Sequence, residues 1–286
     1  QRRYVDAARL QAINPRLVYA SISGFGSEGP DRDRPAFDTV AQAASGFLKL
    51  LVNPEHPRVV GPAIADAMTG FYTALGILAA LNERHTTGKG RVVETSMFEA
   101  MCHFNLDDFT HLLSAGEVMG PYARPHVSQS YVFRCEDGKW LALHMSSPPK
   151  FWENLASAVE RPDMLSLPAF ATREARIAHY EDVVGFLAPI FATRPRAEWC
   201  ERLTRLEVPN SPVHDSAEVL ATEQARVLGL EVSDPDGPHG PFRTIRFPVS
   251  FDGARMDSVT APPVLGADDV AVRRSIERPV HGIRRV

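Results

Sequence analysis

Two short strand-like runs bracket the longest helical pattern of this chain, and that order constrains its fold more than any other feature. Leu17-Val18-Tyr19-Ala20-Ser21-Ile22-Ser23 reads as a short buried strand, and Val92-Val93-Glu94-Thr95-Ser96 as a second. Between them, Asp66 to Arg84 keeps helical spacing, with Phe71, Leu75, Leu78 and Ala79 as the stripe expected to be buried and Thr86-Thr87-Gly88-Lys89-Gly90 as its stop. Helical spacing also runs from Phe37 to Leu51, where Phe37, Val40, Ala41, Ala44 and Phe47 share one face, and from Met97 to Leu113. Strands alternating with helices make the class α/β.

The 286 residues leave room for two domains of roughly 150 residues each, and 44% hydrophobic content is enough to fill their cores. Lys+Arg 31 against Asp+Glu 35 gives a formal charge of −4, and the one basic tract is the tail from Arg273 to Arg285, which argues against nucleic acid as a partner. The longest nearly apolar stretch, Phe71 to Leu81, is short of the ~20 residues of a membrane span, so no membrane role is expected. Cys102, Cys135 and Cys200 are too few and too scattered for a disulfide framework or a zinc site, which points to a reduced, cytoplasmic chain. The chain starts at Gln1, with no methionine or signal peptide, already inside a helical pattern running from Arg2 to Ile13; an N-terminal part is expected to be missing.

Three segments follow from composition. Residues 1–120 form an α/β portion, 121–224 a small α/β domain, and 225–286 a Gly-, Pro- and Asp-rich return. Gly120 to Gln129 reads as turns rather than an element, either a linker or a mobile lid in which Arg124 and His126 meet a carboxylate or phosphate. Ser130–Cys135 and Lys139–His144, joined through Glu136-Asp137-Gly138, form a hairpin, and helical segments follow near Pro149–Val159, Arg173–Phe191 and Arg196–Leu206.

Most motif matches dissolve on inspection. Gly24-Phe25-Gly26-Ser27-Glu28-Gly29 fits G-x-G-x-x-G after a strand, but Pro30 and alternating charges follow where a helix should open on a pyrophosphate, so a plain turn is expected. The serine-hydrolase elbow fails at its first position, and the ten histidines show no zinc-protease spacing. Asp66 stands apart. It lies between the Gly61-Pro62 turn and the long helix, where an aspartate caps a helix without any other role. Position alone favours the cap, but a nucleophile also fits there, because Ala63, Ala65, Ala67 and Gly70 leave room for a substrate carbonyl.

At this point an ordered set of motifs becomes specific. Asn14 to Gly26, then Arg34-Pro35-Ala36-Phe37-Asp38-Thr39-Val40-Ala41-Gln42-Ala43, then Asp66-Ala67-Met68-Thr69-Gly70 with Gly76-Ile77-Leu78-Ala79-Ala80-Leu81, resemble the class III CoA-transferases, the family of formyl-CoA and carnitine CoA-transferases and of α-methylacyl-CoA racemase. Thr87-Gly88-Lys89-Gly90, the Asp-Gly hairpin, Glu207-Val208-Pro209 and Pro262-Pro263-Val264-Leu265-Gly266 continue the resemblance over nearly the whole chain.

The resemblance implies the class III CoA-transferase fold, a large Rossmann-like domain lacking here its N-terminal part plus a smaller α/β domain, in an interlocked homodimer. It implies transfer of coenzyme A between an acyl-CoA thioester and a carboxylic acid, with coenzyme A as substrate and product and no permanently bound cofactor or metal. Asp66 matches the family's catalytic aspartate, Arg2 and Arg34 fall to CoA binding, and Asp38 beside Phe37 is a supporting residue that either faces Asp66 or caps its own helix.

Racemases of the family place a His where Phe37 stands and a Glu near Ser146 or Ser147, and neither phenyl nor hydroxyl moves a proton near neutral pH. The racemase reading therefore ranks behind transfer. A third reading is a non-catalytic fragment or dimerisation remnant.

Overall fold

A computed structural model of the protein describes residues 6–145 and 149–277. The chain divides into two units, Gln1–Ser211 and Pro212–Val286.

The first unit opens with helix α1 (Ala7–Ile13), whose N-cap Asp6 accepts the Ala8 N–H at 2.9 Å. Strand β1 (Tyr19–Ser23) leads through the glycine loop to α2 (Asp38–Ala44) and α3 (Ile64–Thr87) before β2 (Val92–Ser96) returns parallel to β1. The pairing runs from Tyr19 opposite Val92 to Ser23 opposite Ser96. The pattern from Phe37 to Leu51 is not one helix: Gly46 turns left-handed at φ 82° and a single 3-10 turn, Phe47–Leu50, follows. Likewise the Met97–Leu113 pattern breaks at Asn105 into α4 (Met97–Phe104) and α5 (Leu106–Ala115). Gly90 is required where it stands, since a Cβ there would lie 1.9 Å from the Leu17 carbonyl oxygen, while its N–H donates to Pro15 O at 2.8 Å.

Helix α3 inverts the expected burial. Phe71, Leu75 and Leu78, read as its core stripe, are 65%, 57% and 63% exposed, and Ala79 is exposed too. The buried face is Ala65, Thr69, Thr73 and Ala80, which packs on α2, α4, β1 and β2. Small side chains let the helix approach the sheet closely; Gly76 faces Val93 with room for no Cβ. The buried threonines keep their hydroxyls satisfied within the helix, Thr69 Oγ1 donating to Ala65 O at 2.6 Å and Thr73 Oγ1 to Thr69 O at 2.7 Å. A helix apolar on two faces has a second face to cover, and periodicity cannot say which one this chain buries. With 24 residues and a mean hydropathy of 1.5, α3 is long and apolar enough by length and composition to cross a membrane, which the run Phe71–Leu81 understated because interspersed Ala, Gly and Thr count toward the span.

Beyond residue 120 the expected turn segment contains a short helix, α6 (Ala123–Ser128), ended by Gln129 at φ 48°. The hairpin forms as β3 (Ser130–Arg134) and β4 (Trp140–His144), with Gly138 at φ 75° in the turn. Helices α7 (Pro149–Ala158), α8 (Arg173–Ala178), α9 (Tyr180–Phe191) and α10 (Arg196–Arg205) follow; the Arg173–Phe191 pattern divides at His179. Strand β5 (Asn210–Pro212) completes a three-stranded sheet in the order β3-β4-β5. Alternation on the hairpin sends Tyr131, Phe133, Leu141 and Leu143 into a core with Leu187 and Trp199, whose Nε1 donates to Phe191 O at 2.9 Å.

The second unit holds α11 (Ser216–Ala221), with an Asp215–Glu218 capping box, α12 (Glu223–Leu228), antiparallel β6 (Glu231–Asp234) and β7 (Phe242–Ile245), the pair β8 (Ser250–Phe251) and β9 (Ala254–Arg255), and α13 (Asp269–Glu277). Arg246 is buried there and spends its donors on Leu228 O and Phe247 O.

Candidate active site

The start of α3 is built without a capping side chain of its own, because its N-cap is Ala63. Asp38, the first residue of α2, supplies the cap from elsewhere: its Oδ1 accepts the Ala65 N–H at 2.7 Å and the Asp66 N–H at 3.3 Å. Gln42, one turn along α2, donates from Nε2 to Asp38 Oδ2 at 2.6 Å and holds the carboxylate in place. Asp38 thus caps a helix, but α3 rather than the helix it begins. Behind this junction Ala41, Ala65, Met97 and Met101 are buried together, with Ile64 and Met68 against them.

Asp66 occupies the third position of α3 and is exposed. Its carboxylate takes no hydrogen bond or ion pair among the described residues, so it is not the cap. It stands in the first turn, at the positive end of the helix dipole. Asp38 consumes the orphan N–H groups that Asp66 would otherwise accept. The result is an unengaged carboxylate on the first turn of the helix, flanked by Ala67 and Gly70, both exposed.

The other residues singled out from sequence fall in several places. Phe37 is the N-cap of α2 and 78% exposed, with no acid or base function to offer. Arg34 reaches Asp31 Oδ2 at 3.5 Å and stacks its guanidinium 5.0 Å from the Phe25 ring centre, in the loop after β1. No helix opens at Gly29, which takes φ 82°, and the glycine run is a turn. Arg2, Ser146 and Ser147 lie outside the described residues. Arg124 points its Nε to Asp107 Oδ2 at 3.8 Å, and His126 stacks 4.2 Å from the Tyr180 ring, its Nε2 3.8 Å from Glu181 Oε1. No contact joins either of them to Asp66.

Sequence reasoning missed a cleft of about 1070 Å³ over the outer face of β3 and β4, walled by Tyr122, Tyr131, Tyr180, His144 and Asn210 among others. Ser130 Oγ lies 2.9 Å from His144 Nδ1 and Ser128 Oγ 2.8 Å from Ser130 Oγ on its rim. Burial pushes the Tyr180 phenol up to about 12, and that of Tyr131 higher still, so both stay neutral, the Tyr180 hydroxyl donating to Ser130 O at 2.5 Å. Only strand alternation pointed toward these residues, and alternation does not show which loops cover a face. Asp66 is not part of this cleft's lining. Among the described residues no cluster of His, Cys, Asp or Glu gathers to hold a metal ion.

Residues 1–269 match CoA-transferase family III. The beta subunit of succinyl-CoA–L-malate CoA-transferase from Chloroflexus aurantiacus is 32% identical over 218 residues, 73% of this chain and 53% of that protein. Formyl-CoA:oxalate CoA-transferase from Streptomyces avermitilis is 30% identical over 286 residues, 92% of this chain and 68% of the relative. A crystal structure of a CAIB/BAIF family protein from Brucella suis superposes with a TM-score of 0.82 at 26% identity, covering 96% of this chain and 71% of that one. The chain therefore spans about half the length of the first relative and about two thirds of the second. The mixed α/β architecture is the class III CoA-transferase fold. This chain belongs to CoA-transferase family III.

Proposed function

We propose that the protein transfers coenzyme A between an acyl-CoA thioester and a free carboxylic acid, with Asp66 as the nucleophile. The observation that carries this reading is the unengaged Asp66 carboxylate on a helix start already capped by Asp38. An Asp66 oxygen attacks the thioester carbonyl; the C–O bond forms, the C–S bond breaks, and CoA thiolate leaves an aspartyl mixed anhydride. The thiolate then attacks the Asp66 carbonyl, giving an enzyme thioester and releasing the donor acid. The acceptor carboxylate attacks that thioester, forming a second aspartyl mixed anhydride and releasing the thiolate, which then attacks the acceptor's carbonyl to give the new acyl-CoA and restore the Asp66 carboxylate. Four easier substitutions replace one direct exchange between poor partners. Backbone N–H groups are the oxyanion donors this scheme requires.

In this reading Arg34 and Arg2 bind CoA, and Arg124 and His126, carried on α6, belong to a segment that meets the substrate. A second copy covers α3's bare stripe in a homodimer, and three free cysteines suit the cytoplasm. Racemase chemistry is disfavoured by Phe37, which has no proton to exchange. The test is to treat the full-length gene product with acyl-CoA, trap with hydroxylamine or borohydride, and map the modified peptide by mass spectrometry. Modification at Asp66, absent in Asp66→Asn, supports the scheme; full turnover by Asp66→Asn ends it.

A further inference from the structure

Arg176 on α8 is 7% exposed, yet both of its recorded acceptors are neutral. Its Nε donates to Gln129 Oε1 at 2.7 Å and its Nη1 to Phe170 O at 2.8 Å, while the guanidinium carbon lies 4.6 Å from the Trp152 ring centre. It forms no ion pair among the described residues. Of the nearby charges, Glu174 is exposed in the first turn of α8, and Arg173, which repels, donates to Val127 O at 2.8 Å. A guanidinium does not shed its proton, so a positive charge sits in the core without a counter-charge.

A second, independent observation surrounds it. Gln129 Nε2, Trp152 Nε1 and the Tyr131 hydroxyl are buried without a hydrogen-bond partner, and their residues are 0%, 4% and 2% exposed. Gln129 holds the guanidinium, Trp152 lies under it, and Tyr131 follows Gln129 by two residues at the start of β3. Every one of these groups can donate, so what is missing is an acceptor. What the charge lacks is a negative partner.

We propose that this part of the chain carries an internal binding site for a small monovalent anion of halide size, held by Arg176, Gln129, Trp152 and Tyr131. A water molecule would accept the hydrogen bonds but leave the charge uncompensated. The anion does both. It ties α8 to α7 and to the α6–β3 junction, and because Tyr131 is also a wall of the cleft, it fixes that wall from behind.

Two measurements on the full-length gene product test this. Crystals grown in bromide should show an anomalous peak within hydrogen-bond distance of the Arg176 guanidinium. In solution, Tm should rise saturably with chloride or bromide against gluconate at matched ionic strength. Gln129→Glu places a carboxylate on the same guanidinium, so that variant should fold and lose the halide response. Density refining as water, bromide only at the exposed surface as an adventitious ion, or an undiminished halide response in Gln129→Glu would each overturn the site.

Discussion

Asp38 Oδ1 accepts the backbone N–H of Asp66 at 3.3 Å, so the two carboxylates meet at one helix end in different roles. One is consumed as a cap and the other is left free. Because Asp38 lies on α2 and Asp66 on α3, the same bonds that satisfy the helix end also lock the two helices together, with Gln42 as the brace.

Removing that cap should loosen the site before it touches the chemistry. Asp38→Ala is expected to cost about 1–2 kcal/mol in denaturant unfolding, since it strips acceptors from two N–H groups. Asp38→Asn keeps a capping oxygen and should lose only a fraction of that. If Asp38 instead acted on substrate as an acid or base, Asn would abolish turnover while leaving stability near wild type.

The sequence made some of this legible and hid the rest for identifiable reasons. β1, β2 and the hairpin were readable because short apolar runs and an Asp-Gly turn have few alternative conformations. Asp66 stood out from its small neighbours and motif. Asp38's partner was not readable, because a cap spanning 28 residues depends on where α2 docks, and local preference favours the nearer helix end. The burial of α3 was misjudged since periodicity finds an apolar face without naming its neighbour. The breaks at Asn105 and His179 were missed because neither residue is a strong helix breaker. Arg176 and Gln129 are 47 positions apart and carried no pattern at all.

Gly90→Ala should be among the most damaging single-methyl changes in the chain. The added carbon would fall on the Leu17 carbonyl, which is backbone and cannot rotate away. We expect a loss of about 3 kcal/mol by overpacking, with β1–β2 pairing disturbed. Chemical denaturation measures it; a change under 1 kcal/mol would mean the Lys89–Arg91 turn relaxes freely.

Cys135 links stability to alkaline pH. Burial, followed by the charge of Asp137, raises its thiol from 9.0 to about 11. A raised pKa means the folded state binds the proton more tightly, so this stability is complete below pH about 9 and lost as pH rises through about 11. Tyr180 adds a similar fall one unit higher, from 10.0 to about 12. In Cys135→Ala the decline between pH 9 and 11 should be shallower by one proton's worth of slope. At neutral pH, iodoacetamide should leave Cys135 unlabelled in the folded protein, because the thiolate is the reactive form. Equal slopes in both proteins, or rapid labelling, would contradict the assignment.

The stripe Phe71, Leu75, Leu78 runs along α3 for about 10 Å at 1.5 Å per residue, with Ala74 inside it and Ala67 and Gly70 extending it toward Asp66. Leucine and phenylalanine more than half exposed on one face are normally covered in the working assembly. The proposed cover is a second copy, which would bring an apolar surface to within one helical turn of Asp66 and help keep water from the proposed anhydride. Leu75→Glu puts a charge in the middle of that contact, where it has no partner and no route to solvent. Light scattering of the full-length gene product should give twice the chain mass for wild type and a smaller species for Leu75→Glu, with transfer activity falling alongside. A wild-type monomer at micromolar concentration, or a Leu75→Glu variant that remains a fully active dimer, would show that this face is covered by something other than a second copy.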